Sequence, residues 1–143
     1  MNILPVSCPV SLLYARAYIH ATEDPDRVIR ALKNIVTSRF TVRSARGHYG
    51  NLINIIEAKL EDCEALEALK SILARLDDVE FLLMVSGVEG SRLYAKFDKQ
   101  QAYRGILKIS HGDDVIYLEV RMRSLVVKDA RNFLSTLREA LKR

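Results

Sequence analysis

Three sets of side chains in this 143-residue chain are capable of acid–base or metal chemistry. His20 precedes Glu23 and Asp24, His111 precedes Asp113 and Asp114, and Cys8 and Cys63 carry the two thiols. Catalysis needs an activated nucleophile, a metal cluster or an acid and base of matched strength. Asp24 stands directly before Pro25, where its oxygen accepts from early helical amides while proline needs no donor, so its carboxylate is committed to a cap. His111-Gly112-Asp113-Asp114 has the composition of a hairpin turn. No His pair at i, i+4, no Gly-Lys-Ser/Thr phosphate loop and no Gly-x-Ser-x-Gly elbow occurs. The cysteines lack C-x-x-C spacing and are read as supporting neither a disulfide framework nor a zinc site, which suits a reducing cytoplasm. The expectation is a noncatalytic protein that uses no cofactor and no metal.

Charge is the stronger signal. The formal net charge is only +4, but its signs are segregated. Arg27, Arg30, Lys33, Arg39, Arg43 and Arg46 follow one another with no acid between them, whereas Glu57 to Glu80 is predominantly acidic. Arg121 to Arg143 is basic again, and Lys128, Arg131, Ser135, Arg138 and Lys142 are expected on one helix face. Such stripes suit polyanions, because bound phosphates release condensed counterions. Tyr14, Tyr18 and His20 alternate with Arg16, and Tyr94 is flanked by Arg92 and Lys96; rings beside cations are what single-stranded RNA recognition uses. For the first of these strands, burial of Tyr14 and Tyr18 under helices is the favoured reading, with only their hydroxyls at the surface.

The elements that must position these residues follow from periodicity. Val10 to Ala21 alternates as a strand with Leu13, Ala15, Ala17 and Ile19 inward. Pro25 to Val36 reads as an amphipathic helix, and Phe40 to Arg46 with Leu52 to Leu60 as a β-hairpin around Gly47-His48-Tyr49-Gly50-Asn51. Asp62 is expected to cap a second helix, and Val79 to Val85 is read as helix although a buried strand would have the same composition. Arg92 to Phe97 is a strand, Lys99 to Tyr103 a short helix, Ile106 to Ser110 and Val115 to Arg123 a second hairpin, and Lys128 to Lys142 the last helix. No repeat or linker divides this order, which predicts one α+β domain spanning residues 1–143. The N-terminus lacks the pattern of a signal peptide and no apolar run is long enough for a membrane span, so the chain is expected in the cytoplasm with no membrane partner.

Thr22-Glu23-Asp24, Gly47-His48-Tyr49-Gly50-Asn51 and Phe97-Asp98-Lys99-Gln100-Gln101-Ala102-Tyr103-Arg104-Gly105 occur in the order T-E-D, G-H-Y-G-N and F-D-K-Q-x-A-Y-x-G. In these segments the chain resembles the archaeal RNA-binding protein family described as a predicted exosome subunit. The resemblance implies an antiparallel sheet with helices packed on one face, similar to the ribosomal five-S-RNA-binding protein of the large subunit. It also implies RNA as partner, with the exosome or other RNA-processing proteins alongside. Leu52 departs from the family's usual Pro, and Val79 to Val85 is more apolar than the family's usual charged stretch, which marks it as a candidate homodimer interface.

The candidate RNA-binding residues are Arg30, Arg39, Arg43, Arg46, His48, Tyr49, Asn51, Lys96, Lys99, Gln100, Tyr103 and Arg104. Gly47 and Gly50 would let backbone amides approach a phosphate, His48 and Tyr49 would stack or hydrogen-bond, and the arginines would supply charge. The alternative is a protein-interaction subunit that docks a partner on its acidic helix or on Val79 to Val85 without touching nucleic acid.

Overall fold

The computed structural model describes residues 8–46, 50 and 52–142. Their strands form one six-stranded sheet, and every neighbouring pair is antiparallel. In chain order the elements are β1 Val10–Ile19, α1 Pro25–Ile35, β2 Thr41–Arg46, β3 Leu52–Glu61, α2 Asp62–Arg75, α3 Asp78–Val85, β4 Val88–Glu89, β5 Arg92–Asp98, α4 Lys99–Tyr103, β6 Val115–Met122 and α5 Ala130–Leu141. The strand order is β2-β3-β1-β6-β5-β4.

The α+β class is as expected, and so is the placement of helices on one face. Leu13, Ala15 and Ala17 of β1, Ile56 and Ala58 of β3, Leu93 and Phe97 of β5, and Ile116, Leu118 and Val120 of β6 are buried. They pack against Val28, Leu32 and Ile35 of α1, Leu69, Ile72 and Leu73 of α2, Met84 of α3, Ala102 of α4 and Leu134 of α5. Period-2 alternation of strand side chains sends these residues to one side and leaves the intervening ones on the other.

Asp24 caps α1 through the Asp26 amide, Asp77 caps α3 through the Glu80 amide, and Asp129 caps α5 through the Asn132 amide. Val79 to Val85 is therefore helical. Asp62 makes no cap: it is the first residue of α2, with φ +50°, and its carboxylate pairs with Arg123. Gly87 is required for a different reason, since a Cβ there would lie 1.9 Å from the Tyr94 carbonyl oxygen where the chain leaves α3 against β5.

Three further expectations are corrected. Ile106 to Ser110 does not form a hairpin with β6; it runs beside β5 through an isolated bridge between Ile109 and Phe97, because β6 is already flanked by β1 and β5. The Ile109 amide donates to Glu80, which holds this segment to α3. Arg138 does not share the solvent face of α5: it is buried over the Phe81 ring, donating to the Leu76 carbonyl at 3.0 Å and to Asp78 at 2.8 Å. Cys8 and Cys63 form a disulfide, with Cα atoms 5.3 Å apart. The register explains it: Leu12 faces Glu61 across the β1–β3 ladder, so the residues just before β1 and just after β3 are carried together. Sequence separation hid that proximity. The bond closes a loop of 55 residues, and chain entropy makes such a closure worth about 4 kcal/mol at most.

Candidate nucleic-acid interface

The side of the sheet turned away from the helices is lined by polar and aromatic residues. The register sets them in rows across the strands. One row runs Thr41, Glu57, Arg16, Tyr117, Lys96, and the next runs Lys59, Tyr14, Glu119, Tyr94. Beyond them lie Leu12, Arg121 and Arg92, and on the other flank Arg43, Ile55 and Tyr18. Strands are spaced about 4.8 Å apart, so a five-strand row extends about 19 Å. Ile55 is the one buried member of these rows, 5% exposed, and none of them joins the helix-packed cluster. Burial of Tyr14 and Tyr18 beneath helices is therefore overturned, for all the helical packing is spent on the opposite face.

Arg16 occupies the middle of this surface. Its guanidinium lies 4.6 Å from the Tyr117 ring centre and 5.7 Å from that of Tyr18, a cation beside two π faces. Its Nε is buried and has no hydrogen-bond partner. Beside it, Glu57 accepts from the Tyr14 hydroxyl and, at 2.7 Å, from Arg43 Nε. These two bonds hold the Glu57 carboxyl below its usual range. Burial and the adjacent Glu57 carboxylate raise the Tyr14 phenol. Glu119 accepts from Arg121 Nε at 2.5 Å. Leu12, Tyr14, Arg39, Thr41, Glu57, Lys59, Glu119 and Arg121 line a hollow of about 670 Å³ on this side.

The residues singled out from sequence do not converge on one surface. Arg39, Arg43 and Lys96 lie on the helix-free face, although Arg43 is paired to Glu57. Arg46 has the opposite parity on β2 and donates to the Gly50 carbonyl at 3.3 Å. His48, Tyr49 and Asn51 lie outside the described residues. Arg30, Lys99, Gln100, Tyr103 and Arg104 belong to α1 and to α4 with its C-cap, a pair of helices in contact. There Arg27 and Arg30 lie over the Tyr103 ring at 4.9 and 5.3 Å.

Lys99 departs most from expectation. It is 3% exposed and donates to the Tyr18 carbonyl at 2.8 Å and to Glu23 at 3.2 Å, and it pairs with Asp114 at 3.0 Å. An ammonium this enclosed by two carboxylates is turned away from solvent, and its contacts are those of a structural anchor. Gln100 donates to the same Asp114. Burial alone would raise Asp114, but the bonds from Gln100 and Lys99 outweigh it and hold its carboxyl below the usual range. The T-E-D and F-D-K-Q segments thus meet in space, joined through Glu23 and Lys99.

Tyr117, Lys59, Glu57, Glu119 and Arg121 were missed among the site residues. The signal was present for β6, whose alternation places Tyr117, Glu119 and Arg121 opposite Ile116, Leu118 and Val120. Among the described residues no group of three or more His, Cys, Asp or Glu is arranged to hold a metal ion, and no helix is long and apolar enough to cross a membrane.

The fold and this surface define an α+β protein with one helix-clad and one uncovered, cationic and aromatic sheet face. The chain belongs to the RNA-binding family: a family profile described as RNA binding matches residues 13–122. It is 32% identical over 127 residues to the RNA-binding protein PAB1135 of Pyrococcus abyssi, covering 79% of this chain and 82% of that protein. Its structure is similar to that of SSO0741 from Sulfolobus solfataricus, with a TM-score of 0.71 at 27% identity over 92% of this chain and 97% of the other. Mth689 from Methanothermobacter thermautotrophicus shares the fold at a TM-score of 0.74 and 20% identity, over 90% and 97% of the two chains.

Proposed function

We propose that this protein is a noncatalytic RNA-binding protein that holds unpaired RNA on its helix-free sheet face. The observation that carries the reading is the stack of Tyr18, Arg16 and Tyr117 in the middle of an uncovered antiparallel sheet. Sheets of this kind bind single strands by stacking two or three bases on aromatic rings, whereas the bases of an A-form duplex are not available to such a surface. Lys96, Arg92, Arg39 and Lys59 surround the rings and suit the sugar-phosphate chain. Fluorescence anisotropy with a labelled RNA decamer tests this: affinity should fall steeply with added salt, and Arg16→Ala with Tyr117→Ala should weaken it together. Binding indifferent to salt and to both substitutions would remove the proposal.

The finer parts of the reading rest on the family resemblance. The Gly47 to Asn51 segment would add His48, Tyr49 and Asn51 to the contact, and Arg43 and Arg46 of β2 would supply charge. The bound RNA would be destined for an exosome or another RNA-processing assembly in the cytoplasm. Co-purification of processing proteins that is lost on nuclease treatment would fit a link made through RNA.

One observation favours a second reading in which the chain also docks a protein or a second copy of itself. Helix α3 exposes Val79 (65%), Leu82 (69%) and Leu83 (40%) to solvent. Sedimentation of the wild type and of Leu82→Lys distinguishes the two: a dimer abolished by the substitution supports self-association, and a monomer throughout rejects it.

A further inference from the structure

Two carboxylates stand within the proposed RNA-binding face, where a phosphate chain would be repelled by them. Glu57 and Glu119 are also the least exposed partners of the ion pairs there, their side chains 19% and 13% accessible. They line the same hollow, on either side of Tyr14: Glu119 faces Tyr14 across the β1–β6 ladder, and Glu57 bonds its hydroxyl from β3. Arg39, Lys59 and Arg121 line the hollow with them. Ionised carboxylates are acceptors only, with about four lone-pair sites each, and the two hydrogen bonds on Glu57 leave part of that capacity unused.

From this arrangement we propose that the hollow beside Tyr14 is a base-reading subsite for guanine, with Glu57 or Glu119 accepting from the Watson–Crick edge. The inference rests on the RNA-binding reading above. Guanine is the one RNA base that presents two adjacent donors on that edge, the N1–H and the N2 amine, and a carboxylate matches them with two parallel bonds. Adenine and cytosine each present a single amine beside an acceptor nitrogen, which a carboxylate repels. Uracil places its lone N–H between two carbonyl oxygens. The cations lining the hollow are positioned for the flanking phosphates, so charge holds the strand while the acid selects the base.

The test compares three labelled decamers at one salt concentration: all uridine, uridine with one central guanosine, and uridine with one central inosine, which lacks the N2 amine. A good bidentate contact discriminates bases by about five- to a hundredfold, so the guanosine decamer should bind tighter than the uridine decamer by a factor in that range. Inosine should fall between them. In Glu119→Gln and Glu57→Gln, the guanosine-to-uridine ratio should drop toward one in the variant whose acid reads the base. Equal, salt-sensitive binding of all three decamers to the wild type would overturn the guanine subsite and leave the RNA-binding reading standing. Failure of every decamer to bind would overturn both. The inosine comparison needs no variant, so poor folding of a substituted protein cannot mask the result.

Discussion

Arg16 and Lys99 are both cations at the level of β1, one on each side of the chain's proposed work. Arg16 projects from the helix-free face between the rings of Tyr18 and Tyr117, with Nε unbonded. Lys99, at the start of α4, is enclosed by Glu23, Asp114 and the Tyr18 carbonyl. Each stands close to tyrosine in the sequence, Arg16 between Tyr14 and Tyr18 and Lys99 four residues before Tyr103. The difference between them is enclosure, for Arg16 too has a carboxylate beside it, Glu57 across the β1–β3 ladder, but is not walled in by it. A buried ammonium between two carboxylates has exchanged hydration for fixed partners and stabilises the junction of β1, α1 and α4. A guanidinium held by ring faces remains charged toward a ligand.

The largest expected effect is on the locked side. Lys99→Met leaves Glu23 and Asp114 facing each other without their cation; breaking a buried pair costs about 3–5 kcal/mol, and the half-exposed Asp114 puts this site at the low end. Thermal denaturation should show a fall of roughly 6–12 °C for a loss of about 3 kcal/mol. A variant as stable as wild type would remove the anchoring role. Arg16→Ala and Tyr117→Ala should instead leave the melting temperature near wild type and weaken RNA affinity by about 1–3 kcal/mol, the range for one base–aromatic stack. If Tyr103→Ala weakens binding more than Tyr117→Ala in the same anisotropy assay, the active face has been assigned to the wrong layer.

A smaller effect sharpens the same division. Each phosphate contact to a single strand contributes about 0.7 to the slope of log affinity against log salt. Arg39→Ala and Lys96→Ala should each reduce the slope by about that amount, while Arg30→Ala and Arg104→Ala, in the helical layer, should not change it. The smallest effect concerns Glu57. Its carboxyl is held below the ordinary range by Tyr14 and Arg43, so its contribution to stability is present above about pH 4.5 and is lost as pH falls through the depressed folded-state value. Denaturant midpoints measured from pH 6 to pH 3 should therefore decline less steeply in Glu57→Gln than in the wild type. An unchanged decline would show that the Tyr14–Glu57–Arg43 bonds contribute nothing to folding.

Much of the framework was legible because it is local. Alternation in β1 and β5, the Asp–Pro start of α1 and the apolar spacing of α2 and α5 are statements about neighbouring residues, and strand and helix periods translate them directly. The α3 segment was harder to read, since an apolar run fits helix and strand equally until Asp77 is seen capping it. The Ile106 to Ser110 segment was misread because pairing depends on which edge is free, and β1 had already occupied the far side of β6.

The chain's residue order alone settled the approximate positions of its five helices and of most of its strands, which strand positions are apolar, and that cations and tyrosines alternate on β1 and β5. Only the tertiary structure decided which of the chain's cations are taken up by carboxylates. That outcome depends on partners remote in sequence: Lys99 with Glu23, Arg138 with Asp78, and Arg43 with Glu57. Each pairing is set by strand register and helix docking, and those are fixed by burying one face of the sheet as a whole, a cooperative choice that no short window of sequence contains.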